Sequence, residues 1–449
     1  MNLEDVLAFQ NPWWRTGRVE KDKLGYFERR MLAKIMEQAE GKKVVSIIGP
    51  RRVGKTILLH QIMQKLMQKG VDQKRIFYLQ LDNPEITKEG VINRLMEFVS
   101  HSLGTPLHEM KEPAYVFLDE VHKLKTWGEE VKYWHDLGLK IKFVVTGSSA
   151  ARILKGSGES LLGRITHNLL FPLSFGEFLG IKYNIGIEPF GIENMEREYY
   201  MLVKDKQKIE IAFLDYILRG GYPAVLNDDI SKVFQTLLEY KDLSLQRDIF
   251  EEEEIREGKT INELVVLLAD MVGSKISYNK LGGLLLSRVN TVKKYIGMIE
   301  SIYFIKEMSS FRNKYSSVKY GKKIIFADNG LMNSLNMDYS LKKASQAVEN
   351  AVCSAAYRKM AEFELNPDVQ FWSNDSEVDC ILKEKSKIIP IEVKFQKDIG
   401  SDDLRGLMEF MDKFKTDGII ASRNLFEKRK ADGKNILIAP SWLVLLALG

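Results

Sequence analysis

The chain has 449 residues, 45% hydrophobic and 28% charged, a balance that can bury a core in a length that suggests about three domains. No stretch approaches the roughly 18 apolar residues of a membrane span, and two cysteines, Cys353 and Cys380, exclude a disulfide scaffold and fit a reducing cytoplasm. The formal charge is +5, yet residues 271–326 hold eleven Lys or Arg against Glu300 and Glu307, so that segment carries +9 and the remainder −4.

In chain order, the opening MNLEDVLAFQNPWW lacks the basic-then-apolar order of a secretory signal. Trp13–Trp14, near Arg15 and Arg18, reads as an anchor for the N-terminal segment, with a base or a neighbouring subunit as the other surface it suits. Four β-rich runs follow, Val44–Ile48, Ile76–Leu81, Tyr115–Leu118 and Phe143–Thr146, with helical patterns at Ile57–Gln68 and Lys88–Ser102 between them. Strands alternating with helices predict a parallel sheet with covered faces. From Tyr199 to Ala269 the periodicity is helical, the acidic run Glu251–Glu254 being a helix surface. Residues 271–326 read as short helices followed by β-rich pieces at Ser301–Glu307 and Lys322–Ala327. The last part reads helix (341–362), strands (369–372, 377–382, 388–394), helix (402–415), strand (417–421), a second α/β unit.

Gly49-Pro50-Arg51-Arg52-Val53-Gly54-Lys55-Thr56 fits G-x-x-x-x-G-K-S/T between the strand KKVVSII and the helix-like TILLHQIMQKL, which continues through Ile57. Glycines at both ends let backbone N–H groups turn inward around a phosphate at a helix N-terminus. Lys55 would neutralise phosphate oxygens of ATP and the Thr56 hydroxyl would ligate Mg2+. About 65 residues on, the strand of AYVFLDEVHKL delivers Asp119 as a metal ligand and Glu120 as the residue that polarises water. KFVVTGSS then ends in Ser148 and Ser149, either a γ-phosphate sensor or a turn. His122 reads as packing or a hydrogen bond.

The run GPRRVGKT, FLDEVHKL, VVTGSSA, ESLLGR and FPLSFGEFL resembles AAA+ type ATPases of archaea and bacteria whose chains continue into a helical region, a winged helix and a nuclease-like domain. The resemblance spans nearly the whole chain. It implies a P-loop sheet of the AAA+/ASCE type with the P-loop strand central and the Asp119 strand separated from it by the strand ending in TGSS. It also implies Arg164 as an arginine finger, or else an ion-paired surface arginine, and Arg219 before Gly220-Gly221-Tyr222-Pro223 as a second phosphate-sensing arginine. A finger supplied in trans would require a homo-oligomer, a ring being one such form. The expected division is 1–190 ATPase domain, 191–262 helical lid, 263–335 winged helix and 336–449 nuclease-like domain. Asp328 in FADNGL reads as a cap.

The string from Ser277 to Glu300 reads as helix, turn, helix, with Val289, Val292, Ile296 and Ile299 on one face of the second helix. Lys280, Arg288, Lys293 and Lys294 are the expected DNA contacts, against phosphates and with little sequence specificity. The hairpin Tyr303–Lys306 with Lys322–Phe326 would be the wing; a protein-binding lid is the other use of such a module.

Glu349 on AVENAVCSAAYRKM, Asp379 in SEVDCIL, and Glu392 with Lys394 in IIPIEVKF together resemble the PD-(D/E)xK nuclease fold. Glu392 and Lys394, two apart on a strand, share a face. The carboxylates would hold Mg2+ or Mn2+ and Lys394 would position water or stabilise developing charge; a cross-strand ion pair is the other reading. The helix DDLRGLMEFMDKF should pack on the sheet. The expectation is a cytoplasmic ATPase, without membrane association, that positions a metal-dependent nuclease on DNA. The alternative is a nucleotide-switched DNA-binding or signalling ATPase with a non-catalytic nuclease-like scaffold.

Overall fold

The structure is a computed structural model and describes residues 2–148, 161–251, 258–311, 321–337, 341–384, 387–431 and 433–449, with backbone alone for 341 and 342. Ser149, the acids at 252–254, and Arg312, Lys314 and Lys319 lie outside the described residues. The chain divides into two units, Met1–Leu170 and Phe171–Gly449.

Strands buried on both faces read as continuous apolar runs, and VVSII and AYVFLD are such runs. They form β1 (Val44–Ile48) and β3 (Ala114–Asp119) in the first unit, with β2 (Ile76–Gln80) and β4 (Ile141–Gly147). The sheet order is β2-β3-β4-β1-β5, every pairing parallel, so β4 does separate β3 from the P-loop strand. The P-loop strand itself is not central. A fifth strand, β5 (Ile165–Leu169), covers β1 on its other side, so β1 lies one strand from the edge. The β5 sequence, ITHNL, is half polar because only its last two residues are buried, which removes the apolar signal.

The opposite edge, β2, is closed by side chains. Asn11 accepts from Tyr78 N and donates to Tyr78 O, and Gln10 accepts from Gln80 N. Both indoles, Trp13 and Trp14, donate to Ile76 O at 3.0 and 2.9 Å. The tryptophan pair is therefore an anchor, and it protects an edge that would otherwise expose unpaired backbone groups.

The second unit begins with helices, Phe175–Tyr183, Met195–Leu202, Lys206–Arg219, Ile230–Leu245 and Gly258–Asp270. Gly220-Gly221 is a close-packed joint. A Cβ on Gly221 would stand 2.3 Å from Leu173 O, and Gly221 N donates to the buried Asp328 carboxylate at 2.7 Å. Asp328 also accepts from Leu331 N at 3.0 Å, capping the helix Asn329–Asn336 as expected.

Then come β6 (Lys275–Ile276), the helices Tyr278–Leu284 and Val289–Ser301, β7 (Ile305–Ser310) and β8 (Lys322–Phe326). The strand expected from Ser301 starts later: Ile299 is buried within the helix and Ile302 just past its end, and Tyr303, at φ 61°, turns the chain. β9 (Gln370–Ser373), β10 (Glu377–Glu384), β11 (Lys387–Lys394), β12 (Gly418–Ser422), β13 (Glu427–Ala431) and β14 (Lys434–Pro440) complete one nine-stranded sheet, β13-β14-β12-β11-β10-β9-β7-β8-β6. Parallel pairing of Ser309 with Gln370 and Ser310 with Phe371 joins the hairpin to the C-terminal strands.

The helix Leu341–Ala361 packs on β10, and Leu404, Leu407, Phe410 and Met411 of the helix Ser401–Phe414 join Trp372, Val378 and Ile420 in a core. β13, β14 and the final helix Ser441–Leu448 were not anticipated. That helix, SWLVLLAL, is buried all round, so it carries no amphipathic stripe.

Candidate active site

Parallel strands present their carboxyl ends together, and ligands of α/β sheets gather there. The tips of β1, β3 and β4 are neighbours in the first unit. β1 leads into the loop Gly49–Gly54 and the helix Lys55–Gln68; a Cβ on Gly49 would meet Leu170 O at 2.1 Å, so only glycine fits. The left-handed Gly54, φ 98°, starts the helix. Lys55, buried, donates from Nζ to Gly49 O and Pro50 O, each at 2.9 Å. Arg29 Nη1 donates to Val53 O at 3.1 Å and holds the loop from outside. Arg51 and Arg52 lie on the loop, Arg52 exposed at φ 68°, while the Val53 side chain is buried. Ile57 is partly exposed, beside the Gly25 backbone.

Asp119, at the end of β3, is wholly buried and its charge is met by three hydroxyls. Thr56 Oγ1 donates to Oδ2 at 2.7 Å, Tyr78 OH to Oδ2 at 2.9 Å, and Thr146 Oγ1 to Oδ1. Burial, with the Asp119 charge beside it, pushes the Tyr78 phenol well above its usual value, so it remains a donor. Thr56 and Asp119 come together as an all-oxygen pair, the donor chemistry that suits Mg2+. The residues present therefore fit a magnesium ion carried in with a nucleotide.

Glu120 takes a left-handed backbone, φ 58°, and its N–H donates to Thr146 Oγ1 at 3.2 Å. Its Oε2 lies 3.2 Å from Nδ1 of the buried His122, whose Nε2 lies 3.4 Å from Ser148 Oγ. His122 thus lies between the two residues expected to face the terminal phosphate. Sequence reasoning gave Tyr78, Thr146 and His122 no role in the site; the only signal was the position of Thr146 near the end of its strand, Tyr78 lying in the middle of β2.

The two candidate arginines are engaged within their own units. Arg164 Nε donates to Asp136 Oδ1 at 2.6 Å with its side chain 39% exposed. Arg219 Nε donates to Asp215 Oδ1 at 2.5 Å and its Nη1 to Asp228 O at 2.9 Å, with only 11% of its side chain exposed.

In the second unit Val292, Ile296 and Ile299 are buried, and Val289 partly so, which leaves Lys280, Arg288, Lys293 and Lys294 exposed as expected. Lys293 Nζ stands 5.1 Å above the Tyr278 ring.

The C-terminal carboxylates also converge. Asp379 and Glu392 sit on adjacent antiparallel strands, Val393 N donating to Asp379 Oδ2 at 2.9 Å and Asp379 N to Glu392 Oε2 at 3.3 Å. Lys394 Nζ donates to Glu392 Oε1 at 2.6 Å. The unforeseen member is Lys323 of β8, its side chain 3% exposed. Its Nζ is 3.5 Å from Glu349 Oε1 and 3.8 Å from Asp379 Oδ1, and it pairs with Glu377. Burial, and next the neighbouring Asp379, pushes the Glu349 carboxyl up to about 7 and the Glu392 carboxyl up to about 8. Burial opposes the Lys323 ammonium, yet Glu349, Asp379 and Glu377 hold its proton above the ordinary lysine range. Among the described residues no group of three or more His, Cys, Asp or Glu side chains is disposed to hold a metal ion. Two of the expected ligands, Glu349 and Asp379, stand beside the Lys323 ammonium while Glu392 pairs with Lys394, and as arranged the three do not fit Mg2+ or Mn2+. Among the described residues no helix is long and apolar enough to cross a membrane.

Residues 41–179 match a family model described as an AAA domain; 210–342 and 344–442 match two domains of unknown function, DUF8612 and DUF4143. An uncharacterized protein of Haemophilus influenzae is 24% identical over 414 residues, 90% of this chain and 94% of that one. Uncharacterized protein MJ1544 of Methanocaldococcus jannaschii is 28% identical over 318 residues, 69% of this chain and 65% of its own length. Among solved structures, the Walker-type ATPase PABY2304 of Pyrococcus abyssi has a TM-score of 0.44 at 16% identity, covering 71% of this chain and 97% of that one. The Aeropyrum pernix ORC1 protein in complex with DNA has 0.30 at 12% identity, covering 73% and 97%. With the P-loop geometry, the match over 41–179 makes that segment a P-loop ATPase domain of the AAA type, a fold that binds nucleotide with a divalent metal.

Proposed function

We propose that the chain is an ATP-hydrolysing, DNA-contacting protein in which nucleotide state is relayed to the second unit. The observation that carries the ATPase reading is the Thr56–Asp119 hydrogen bond of 2.7 Å, formed between residues 63 apart at the tips of a P-loop and a buried acidic strand. Lys55 would exchange its two loop carbonyls for phosphate oxygens, and the loop N–H groups would cradle the same phosphates. Mg2+, when bound with ATP, neutralises phosphate charge. Glu120, oriented by His122, would accept hydrogen bonds from the attacking water, while Ser148 would sense the terminal phosphate through the same histidine. Arg164, exposed and held by a surface carboxylate, is the residue that a neighbouring copy could recruit as a finger in a homo-oligomer or ring. Arg219 is tied into its helix end, which supports a structural role before a sensing one. Phosphate release measured with Mg2+ tests the reading; turnover that survives both Lys55→Ala and Glu120→Gln would sink it.

DNA contact is supported by the exposed Lys280, Arg288, Lys293 and Lys294 on a helix-turn-helix with a hairpin behind it. For the C-terminal cluster we favour the non-catalytic scaffold, because a buried lysine stands among the carboxylates. Metal-dependent nuclease action is the second reading, supported by Asp379, Glu392 and Lys394 grouped on β10 and β11, with the helix Leu341–Ala361 against β10. Incubation of the full chain with DNA and Mn2+ separates them: the scaffold leaves linear, forked and four-way DNA intact. Cleavage that Asp379→Ala with Glu392→Ala abolishes would establish the nuclease instead.

A further inference from the structure

A lysine ammonium taken out of water must be surrounded by compensating charge, or its burial is strongly unfavourable. Lys323 is 3% exposed, and three carboxylates on two different elements supply that compensation: Glu349 on the helix Leu341–Ala361, and Glu377 and Asp379 on β10. The lysine comes from elsewhere in the sheet. β8 is separated from β10 by β7 and β9, so Lys323 cannot be an ordinary cross-strand partner. It crosses the face over Phe371 of β9, its Nζ 5.3 Å from the ring centroid. Lys275 of β6, paired in register with Lys323, makes the same approach, 5.8 Å from that centroid and 3.5 Å from Glu377 Oε2.

We infer that Lys323 is a tethered cation standing beside Glu349 and Asp379, two of the carboxylates expected to ligate a metal, and that it latches the β6–β8 hairpin module to the carboxylate face of the C-terminal strands. The inference deepens the scaffold reading and rests on it. Its chemistry is substitution. Glu349, Glu377 and Asp379 all face the Lys323 ammonium, and with it gone their charges need another cation, around which they would have to close up. Removing the ammonium while leaving the carboxylates should therefore create a divalent-metal site in a chain that otherwise lacks one there.

The experiment counts bound Mn2+ per full-length chain by electron paramagnetic resonance, without nucleotide. It compares the parent, Asp379→Asn, Lys323→Met, Lys323→Arg and the double variant Lys323→Met with Asp379→Asn. The expected result is one more Mn2+ in Lys323→Met than in the parent, absent again from the double variant and from Lys323→Arg. Equal counts in the parent and a folded Lys323→Met overturn the inference and leave the scaffold reading standing. Should Lys323→Met fail to fold, the parent still decides. Loss of one Mn2+ on Asp379→Asn means the cluster already holds metal and the latch is wrong, whereas an unchanged count with no gain in Lys323→Arg supports it. DNA cleavage by the parent would instead strike the scaffold reading itself.

Discussion

Asn11 and Tyr78 pair as though Asn11 were one more strand: the amide accepts from Tyr78 N at 2.7 Å and donates to Tyr78 O at 2.8 Å. The Tyr78 hydroxyl continues the link to Asp119. A residue before the first strand thus holds the edge strand that supports the acidic end of the phosphate site. Asn11→Ala leaves two buried backbone groups without partners, at a cost of about 2 kcal/mol or more. Thermal unfolding should show a drop of several degrees, and an unshifted midpoint would remove the role.

Glu120 and His122 should separate chemistry from positioning. Glu120→Gln is expected to lower kcat by at least about 100-fold, as loss of a preorganised electrostatic group does. His122→Ala keeps the carboxylate but removes its imidazole neighbour, so kcat should fall less, with nucleotide affinity nearly unchanged. A loss confined to KM would place His122 in binding instead.

The basic helix predicts salt dependence more than sequence preference. Each cation withdrawn from a DNA phosphate should reduce the slope of log affinity against log salt by about 0.9. Replacing Lys280, Arg288, Lys293 and Lys294 with Ala should flatten the titration accordingly, on any duplex tested. Unaltered binding would make this module a protein-binding lid.

Asp215 gives a pH test in the second unit. Burial alone would push its carboxyl up, but donation from Lys182, Arg219 and Tyr183 outweighs that and leaves it below the usual carboxylate value. The folded state therefore binds this proton less readily than the unfolded chain. The associated stability is present above the unfolded value, near about pH 4, and is lost as the pH falls through the folded value. In urea titrations the parent's advantage over Asp215→Asn should shrink from roughly pH 5 downward. A constant difference would mean that the carboxylate's charge is not what stabilises this joint.

The second unit shows why its site was only half legible. Glu392 and Lys394 could be picked out because the strand period places them on one face, and Glu349 and Asp379 because the set resembles that of a known nuclease fold. Lys323 could not, since nothing in GKKIIFAD says that its side chain will cross two intervening strands. The same holds for β5 and the closing helix: one is too polar and the other too uniformly apolar for a periodic signal.

What the sequence determined by itself was whatever depends on contiguous residues: the phosphate loop, the acidic strand end, the alternation of strands and helices, and the basic helix after the turn. Loop geometry, helix dipoles and side-chain period act over a few residues, so they are written locally. Only the tertiary structure decided which hydroxyls meet Asp119, which histidine joins Glu120 to Ser148, and which cation stands among the C-terminal carboxylates. Most of those are encounters between residues far apart in the chain, fixed by packing and by the cost of leaving a buried charge unmatched.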